Sequence, residues 1–146
     1  MQIEIKIDDS CKETKVIVVT DKITDEINAL VKKLAEDTTQ FLAGFQGDTL
    51  KILDQQEVLH IYTANGKVFA VTDCGEYQLR LRLYELEERL DRISFVRISN
   101  SEIINLKKVK KFDLNYTGTI CVFLTNGTVT YVSRRYVSKI KQVLGI

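Results

Sequence analysis

The chain has 146 residues, 45% of them hydrophobic, which suits one domain with a real core, or one domain with an extension. No apolar run approaches the roughly 18 residues of a membrane span, the start lacks the basic and apolar regions of a secretory signal, and three scattered cysteines with a single histidine give no zinc set. The formal net charge of +1 conceals a segregation: residues 1–50 carry six Lys against ten Asp or Glu, whereas residues 92–146 carry ten Lys or Arg against only Glu102 and Asp113. A single-sign field confined to one end fits a polyanionic partner. Unpaired thiols without an export signal predict a reducing, cytoplasmic location.

Residues 2–7 alternate polar and apolar, with Ile3, Ile5 and Ile7 on one face, and residues 16–19 form a β-branched run. Both predict strands, joined through polar residues 8–15. Thr24 is placed to cap a helix whose first turn carries Asp25 and Glu26, and Ile27, Leu30, Val31 and Leu34 form its apolar stripe. Residues 1–40 therefore read as an acidic strand-strand-helix extension serving dimerisation or regulation.

From residue 41 strands dominate. Residues 41–45 and 49–53 flank a turn at Gly47-Asp48, and 58–62 and 68–72 flank Asn65-Gly66, a favoured hairpin pair. Residues 81–90 read as a short charged helix with Leu83, Leu86 and Leu90 at helical spacing and Glu87-Glu88 solvated. The apolar runs 95–98 and 103–106 flank a polar tip, Ser99-Asn100-Ser101. Within the second run, Asn105 is expected to bond backbone at a strand end. Residues 109–116, 119–124 and 128–132 form a strand meander with turns at Thr117-Gly118 and Asn126-Gly127. A last helix over 134–144 turns Tyr136, Val137, Ile140 and Leu144 inward and stops at Gly145.

Tests for catalytic chemistry come back empty. In the Asn65-Gly66 hairpin His60 pairs with Val71, which places Cys74 on the opposite face and forbids a Cys–His dyad. No Gly-rich phosphate loop, metal-spaced carboxylate set or serine elbow occurs, so a non-enzyme without a cofactor is expected.

The last helix is more informative. Ser133 is a good N-cap, yet Arg134 and Arg135 occupy the first turn, where each cation costs a few tenths of a kcal/mol up to about 1 against the helix dipole. A phosphate or guanine edge beyond that helix end would justify them; carboxylates elsewhere in the fold are the alternative. At the Ser99-Asn100-Ser101 tip, Asn can read adenine and Ser can contact phosphates, though both also simply make turns. Arg97 precedes the tip, and Lys107, Lys108, Lys110 and Lys111 follow it.

The run Phe95-Val96-Arg97-Ile98-Ser99-Asn100-Ser101-Glu102-Ile103-Ile104-Asn105-Leu106 resembles the signature of the LytTR-type DNA-binding domain. So do Leu124-Thr125-Asn126-Gly127 followed by Val132-Ser133-Arg134-Arg135-Tyr136 and Lys139. The charged helix at Leu83-Tyr84-Glu85-Leu86 and the segment Glu57-Val58-Leu59-His60-Ile61-Tyr62 precede them in the family's order, so the resemblance covers roughly residues 41–146. It implies a mostly β domain with short helices, preceded here by the small β-β-α amino-terminal extension. It also implies a bacterial transcription regulator that inserts loops into successive major grooves, reads two direct repeats with two protomers and bends the DNA. By position, Asn100 matches the base-contacting tip residue, Arg135 the base-reading arginine after the last strand, and Lys67 the third contacting loop. Ser101, Tyr131 and Ser133 match backbone-contacting positions, and Arg134 lies beside Arg135 in the DNA-binding set.

Many relatives have histidine where this chain has Ser99. Many also carry a phosphoacceptor receiver domain, for which residues 1–39 are too short. The resemblance therefore points to a stand-alone regulator, a kind that in some relatives is restrained by a membrane partner protein. The expected partners are double-stranded DNA, a second copy of the chain and such a regulatory membrane protein. The competing reading is a protein-interaction module whose basic carboxy-terminal end docks on an acidic partner.

Overall fold

A computed structural model describes residues 1–36, 41–114 and 119–146. The chain divides into two units, residues 1–34 and residues 35–146.

The helix α1 (Asp25–Glu36), which begins in the first unit, forms as its sequence predicts. Thr24 Oγ1 accepts from the Ile27 amide at 3.3 Å, and Asp25 and Glu26 sit at the positive end of the dipole. Ile27 and Leu30 are half-buried, whereas Val31 and Leu34 are exposed. The two predicted strands do not form: residues 2–7 and 16–19 make no ladder, and Ile3, Ile5 and Ile7 are 85%, 84% and 88% exposed. Alternation supplies an apolar face, but a ladder needs a surface to cover that face, and a lone two-stranded hairpin is marginal in water. Residues 8–11 instead close a local turn. The Ser10 amide and hydroxyl both donate to Asp8 Oδ1, at 3.0 and 2.6 Å. These bonds, the hydroxyl's first, hold the Asp8 carboxyl below its usual pKa.

The second unit is built on two antiparallel sheets. Strands β1 (Phe41–Gln46) and β2 (Thr49–Asp54) form a hairpin, as do β3 (Val58–Ala64) and β4 (Lys67–Thr72). Asn65 and Gly66 turn the second hairpin with φ of 53° and 76°, the left-handed pair that matches strand twist. His60 pairs with Val71 as the hairpin requires, and Cys74 lies exposed beyond the strand end. Strand β5 (Gly75–Leu79) is an addition to the predicted elements; Tyr77 and Leu79 turn inward at period two, and the strand pairs with both β4 and β1. With β6 (Phe95–Ser99) and β7 (Glu102–Asn105) the sheet runs β2-β1-β5-β4-β3-β7-β6. The second sheet, β10-β9-β8, comprises β8 (Val109–Asp113), β9 (Ile120–Leu124) and β10 (Val129–Val132). The expected end of the first meander strand at Tyr116 and the Thr117-Gly118 turn lie outside the described residues.

Two cores follow from the sequence pattern. The helix α2 (Leu83–Arg89) begins two residues later than expected and buries Leu83 and Leu86, with Leu90 just beyond its end, against Leu42, Leu53, Ile61 and Ala70 of the large sheet. Each such leucine contributes roughly 1.5–3 kcal/mol. The second core joins Val96, Ile98 and Ile104 to Ile120, Val122, Leu124 and Val132, closed by Ile140 of α3 (Arg134–Leu144). Tyr136, Val137 and Leu144 pack against it half-buried, and Gly145 stops the helix in the left-handed region at φ 73°.

The β6–β7 hairpin serves both cores. Phe95 and Ile103 face the first, and Val96, Ile98 and Ile104 face the second. Burial on both faces explains its continuous apolar runs and anchors the strands that carry the exposed polar tip. Asn105 at its base is fully buried; its Nδ2 donates to the Val58 carbonyl at 2.9 Å, and its Oδ1 accepts from the Lys107 amide at 3.0 Å.

Candidate nucleic-acid interface

The tip between β6 and β7 is held mainly through backbone carbonyls. Arg97 donates from Nε to the Ser99 carbonyl at 2.9 Å and from Nη2 to the Asn100 carbonyl at 2.6 Å. Its Nη1 donates to Glu87 Oε1 of α2 at 2.8 Å. One expectation changes here: Glu87 is not merely solvated, because it pairs with Arg97. Arg97 itself commits three of its donors within the protein. The Ser99 hydroxyl accepts from the Ser101 amide at 3.1 Å, and the Thr63 amide donates to the Ser101 carbonyl at 2.9 Å, which ties the tip to β3. Asn100 and Ser101 themselves are exposed.

The start of α3 meets the same tip. The Ser133 amide donates to the Ile98 carbonyl at 2.9 Å, so β10 delivers the helix beside β6. Ser133 occupies the N-cap, but contrary to expectation its side chain makes no cap hydrogen bond. Its extended backbone is the N-cap conformation, and the first turn opens without a side-chain acceptor. Among the described residues, Arg134 and Arg135 form no ion pair, and both are exposed. The carboxylate alternative for these arginines is therefore not realised within those residues. One residue on, the Tyr136 hydroxyl donates to Asn100 Oδ1 at 3.3 Å.

Lys67 is linked to the tip through the ladder. It pairs with Ala64, next to Thr63, whose amide holds the tip. Tyr131 is exposed on β10 opposite Cys121, one residue after Thr130. The Thr130 hydroxyl donates to Glu102 Oε1 at 2.6 Å, and Glu102 Oε2 lies 3.0 Å from Nδ1 of the buried His60. Glu102, the residue after the tip, thus bridges β3 of the large sheet to β10 of the small one. These bonds connect the segments that carry Lys67, Asn100, Ser101, Tyr131, Ser133, Arg134 and Arg135. Lys107, Lys110 and Lys111 remain exposed, with the Lys111 ammonium 4.6 Å above the Phe123 ring.

Sequence reasoning missed three contributors: the Glu87–Arg97 pair, the Glu102 bridge and the Tyr136 hydroxyl. The scarcity of acids in residues 92–146 was an available signal for Glu102, since an acid retained there needs a local reason. Nothing in the spacing links Tyr136 to Asn100.

The LytTr DNA-binding domain family matches residues 48–145. An uncharacterised HTH-type transcriptional regulator of Staphylococcus aureus strain NCTC 8325 is 31% identical over 147 residues, spanning 100% of this chain and 99% of that protein. A counterpart in strain MRSA252 is also 31% identical over the same spans. The LytTr DNA-binding domain of a methyl-accepting/DNA response regulator from Bacillus cereus superposes with a TM-score of 0.71 at 21% identity, over 73% of this chain and 98% of that one. Among the described residues no two α-helices are consecutive along the chain, so the exposed arginines are presented by a helix that follows a strand. The match over residues 48–145, the full-length relatives and the shared fold lead to one conclusion: the chain belongs to the LytTR DNA-binding domain family.

Proposed function

We propose that this protein is a cytoplasmic, sequence-specific DNA-binding transcriptional regulator that reads direct-repeat sites through loops placed in the major groove. In this reading Asn100 and Arg135 read base edges, Asn with adenine and Arg with guanine as their natural bidentate partners. Lys67 supplies the third contacting loop. Ser101, Ser133, Tyr131 and Arg134 hold the phosphate backbone, which sets register without carrying sequence. Two protomers occupy the two repeats, and the amino-terminal extension carries the dimer contact or receives the regulatory input, including that of a membrane protein partner.

The observation that supports this reading is the hydrogen bond from Tyr136 to Asn100. It sets the exposed tip beside a helix start whose two arginines have no carboxylate partner among the described residues. The test is fluorescence anisotropy of duplex DNA across a salt series, beside an acidic polypeptide of equal charge. Duplex binding should weaken linearly on a log–log plot, with a slope of about −0.9 per phosphate neutralised, and should exceed polypeptide binding at every salt concentration. Equal binding of both polyanions would favour the protein-interaction reading instead.

A further inference from the structure

We propose that Arg97 and Tyr136 are positioning residues that hold the Ser99-Asn100-Ser101 tip in a single reading conformation, an inference that rests on the assignment of Asn100 as a base reader. Arg97 would ordinarily count as one more phosphate-binding cation. Its side chain is only 18% exposed, and its donors go to the carbonyls of Ser99 and Asn100 and to Glu87. A fork of donors on consecutive carbonyls fixes the backbone of the tip, and the Glu87 carboxylate holds that fork in place. The register shift between Arg97 and Ser99 marks the place where the strand departs from regular pairing and a clamp is needed.

Tyr136 acts on the side chain. A bidentate contact with adenine needs the asparagine amide presented one way round, with its nitrogen and oxygen in defined places. The Tyr136 hydroxyl occupies one lone pair of Asn100 Oδ1 and leaves the second lone pair and both amide hydrogens available. Tyr136 is also the neighbour of Arg135, so the same bond ties the helix turn that carries Arg135 to the tip. Rotamer freedom removed before binding is not lost again on binding, which is the source of the selectivity.

The experiment compares wild type, Tyr136→Phe, Arg97→Lys, Asn100→Ala and the double variant Asn100→Ala with Tyr136→Phe. The single substitutions at Tyr136 and Arg97 leave net charge unchanged. Each protein is checked by thermal melting. Anisotropy then gives its affinity for a labelled duplex carrying the sequence enriched from a random pool, and for a scrambled duplex of equal length. Tyr136→Phe and Arg97→Lys are expected to lower the ratio of the two affinities by roughly two- to tenfold, with scrambled-duplex binding unchanged. Tyr136→Phe should change nothing further once Asn100 is alanine, because its effect runs through that side chain. If Asn100→Ala loses selectivity while Tyr136→Phe retains the wild-type ratio, the positioning inference is overturned and the reading of Asn100 stands. An equal loss on both duplexes overturns it as well, since that marks a purely structural role. If Asn100→Ala keeps full selectivity, the base-reading assignment falls and the inference falls with it. Should Arg97→Lys fail to fold, Tyr136→Phe carries the test alone.

Discussion

Replacing Asn105 with alanine should separate the two asparagines of the β6–β7 segment. Asn105 is fully buried and spends its amide on the Val58 carbonyl at 2.9 Å and the Lys107 amide at 3.0 Å. Val58 is itself completely buried, so its carbonyl loses a partner that water cannot readily replace, at about 1–3 kcal/mol. Lys107 is exposed and its amide can turn to solvent, so that bond contributes closer to about 1 kcal/mol. With the cavity left by the missing amide, the loss should come to roughly 2–5 kcal/mol, a large part of the 5–15 kcal/mol typical of a domain. Urea unfolding followed by circular dichroism would measure it as a lower midpoint with an unchanged slope. DNA selectivity of the folded fraction should stay at the wild-type value. A loss below about 1 kcal/mol would refute the assignment of Asn105 as a buried structural bridge.

Arg135→Ala and Asn100→Ala should each remove about 1–3 kcal/mol of discrimination against the wrong base while melting as wild type, as read by competition anisotropy. Lys110→Ala should lower affinity for all duplexes alike and reduce the magnitude of the salt slope by about 1. Gly44→Ala should destabilise by roughly 1–3 kcal/mol in a thermal melt, since an added Cβ would lie 2.7 Å from Leu53 Cδ1 and 2.8 Å from Tyr77 Cβ; unchanged stability would contradict that close approach. Removing residues 1–40 should leave a folded domain that sediments as a monomer, and a truncated protein that remains dimeric would remove the dimer contact from the extension.

Much of the second unit was legible because its signals are local. Asn65-Gly66 specifies a left-handed turn whatever surrounds it, and Gly145 ends α3 for the same backbone reason. The leucines of α2 and the stripe of α3 fall on one face at helical spacing, and that face is buried as expected. Strand β5 was hidden because only Tyr77 and Leu79 mark its inward face, between a turn and a helix. The amino-terminal strands were over-read for the converse reason. Ile3, Ile5 and Ile7 carry strand periodicity, but periodicity describes a face and not what covers it. Around the tip, residue type singled out the paired arginines, since cations at a helix start in an acid-poor segment suit an anionic partner, whereas Asn and Ser alone read as turn formers and Asn100 was marked only by the family resemblance. The Glu87–Arg97 and Tyr136–Asn100 bonds were illegible, because they join residues 10 and 36 positions apart through tertiary packing.

The most direct test of the central claim is selection from a pool of random duplexes of about two helical turns, with the bound fraction sequenced for the full-length protein. The account predicts enrichment of two spaced direct repeats, by a protein whose affinity falls steeply with salt, and loss of that enrichment in Asn100→Ala and Arg135→Ala. A folded protein that enriches no sequence at any salt concentration would contradict it.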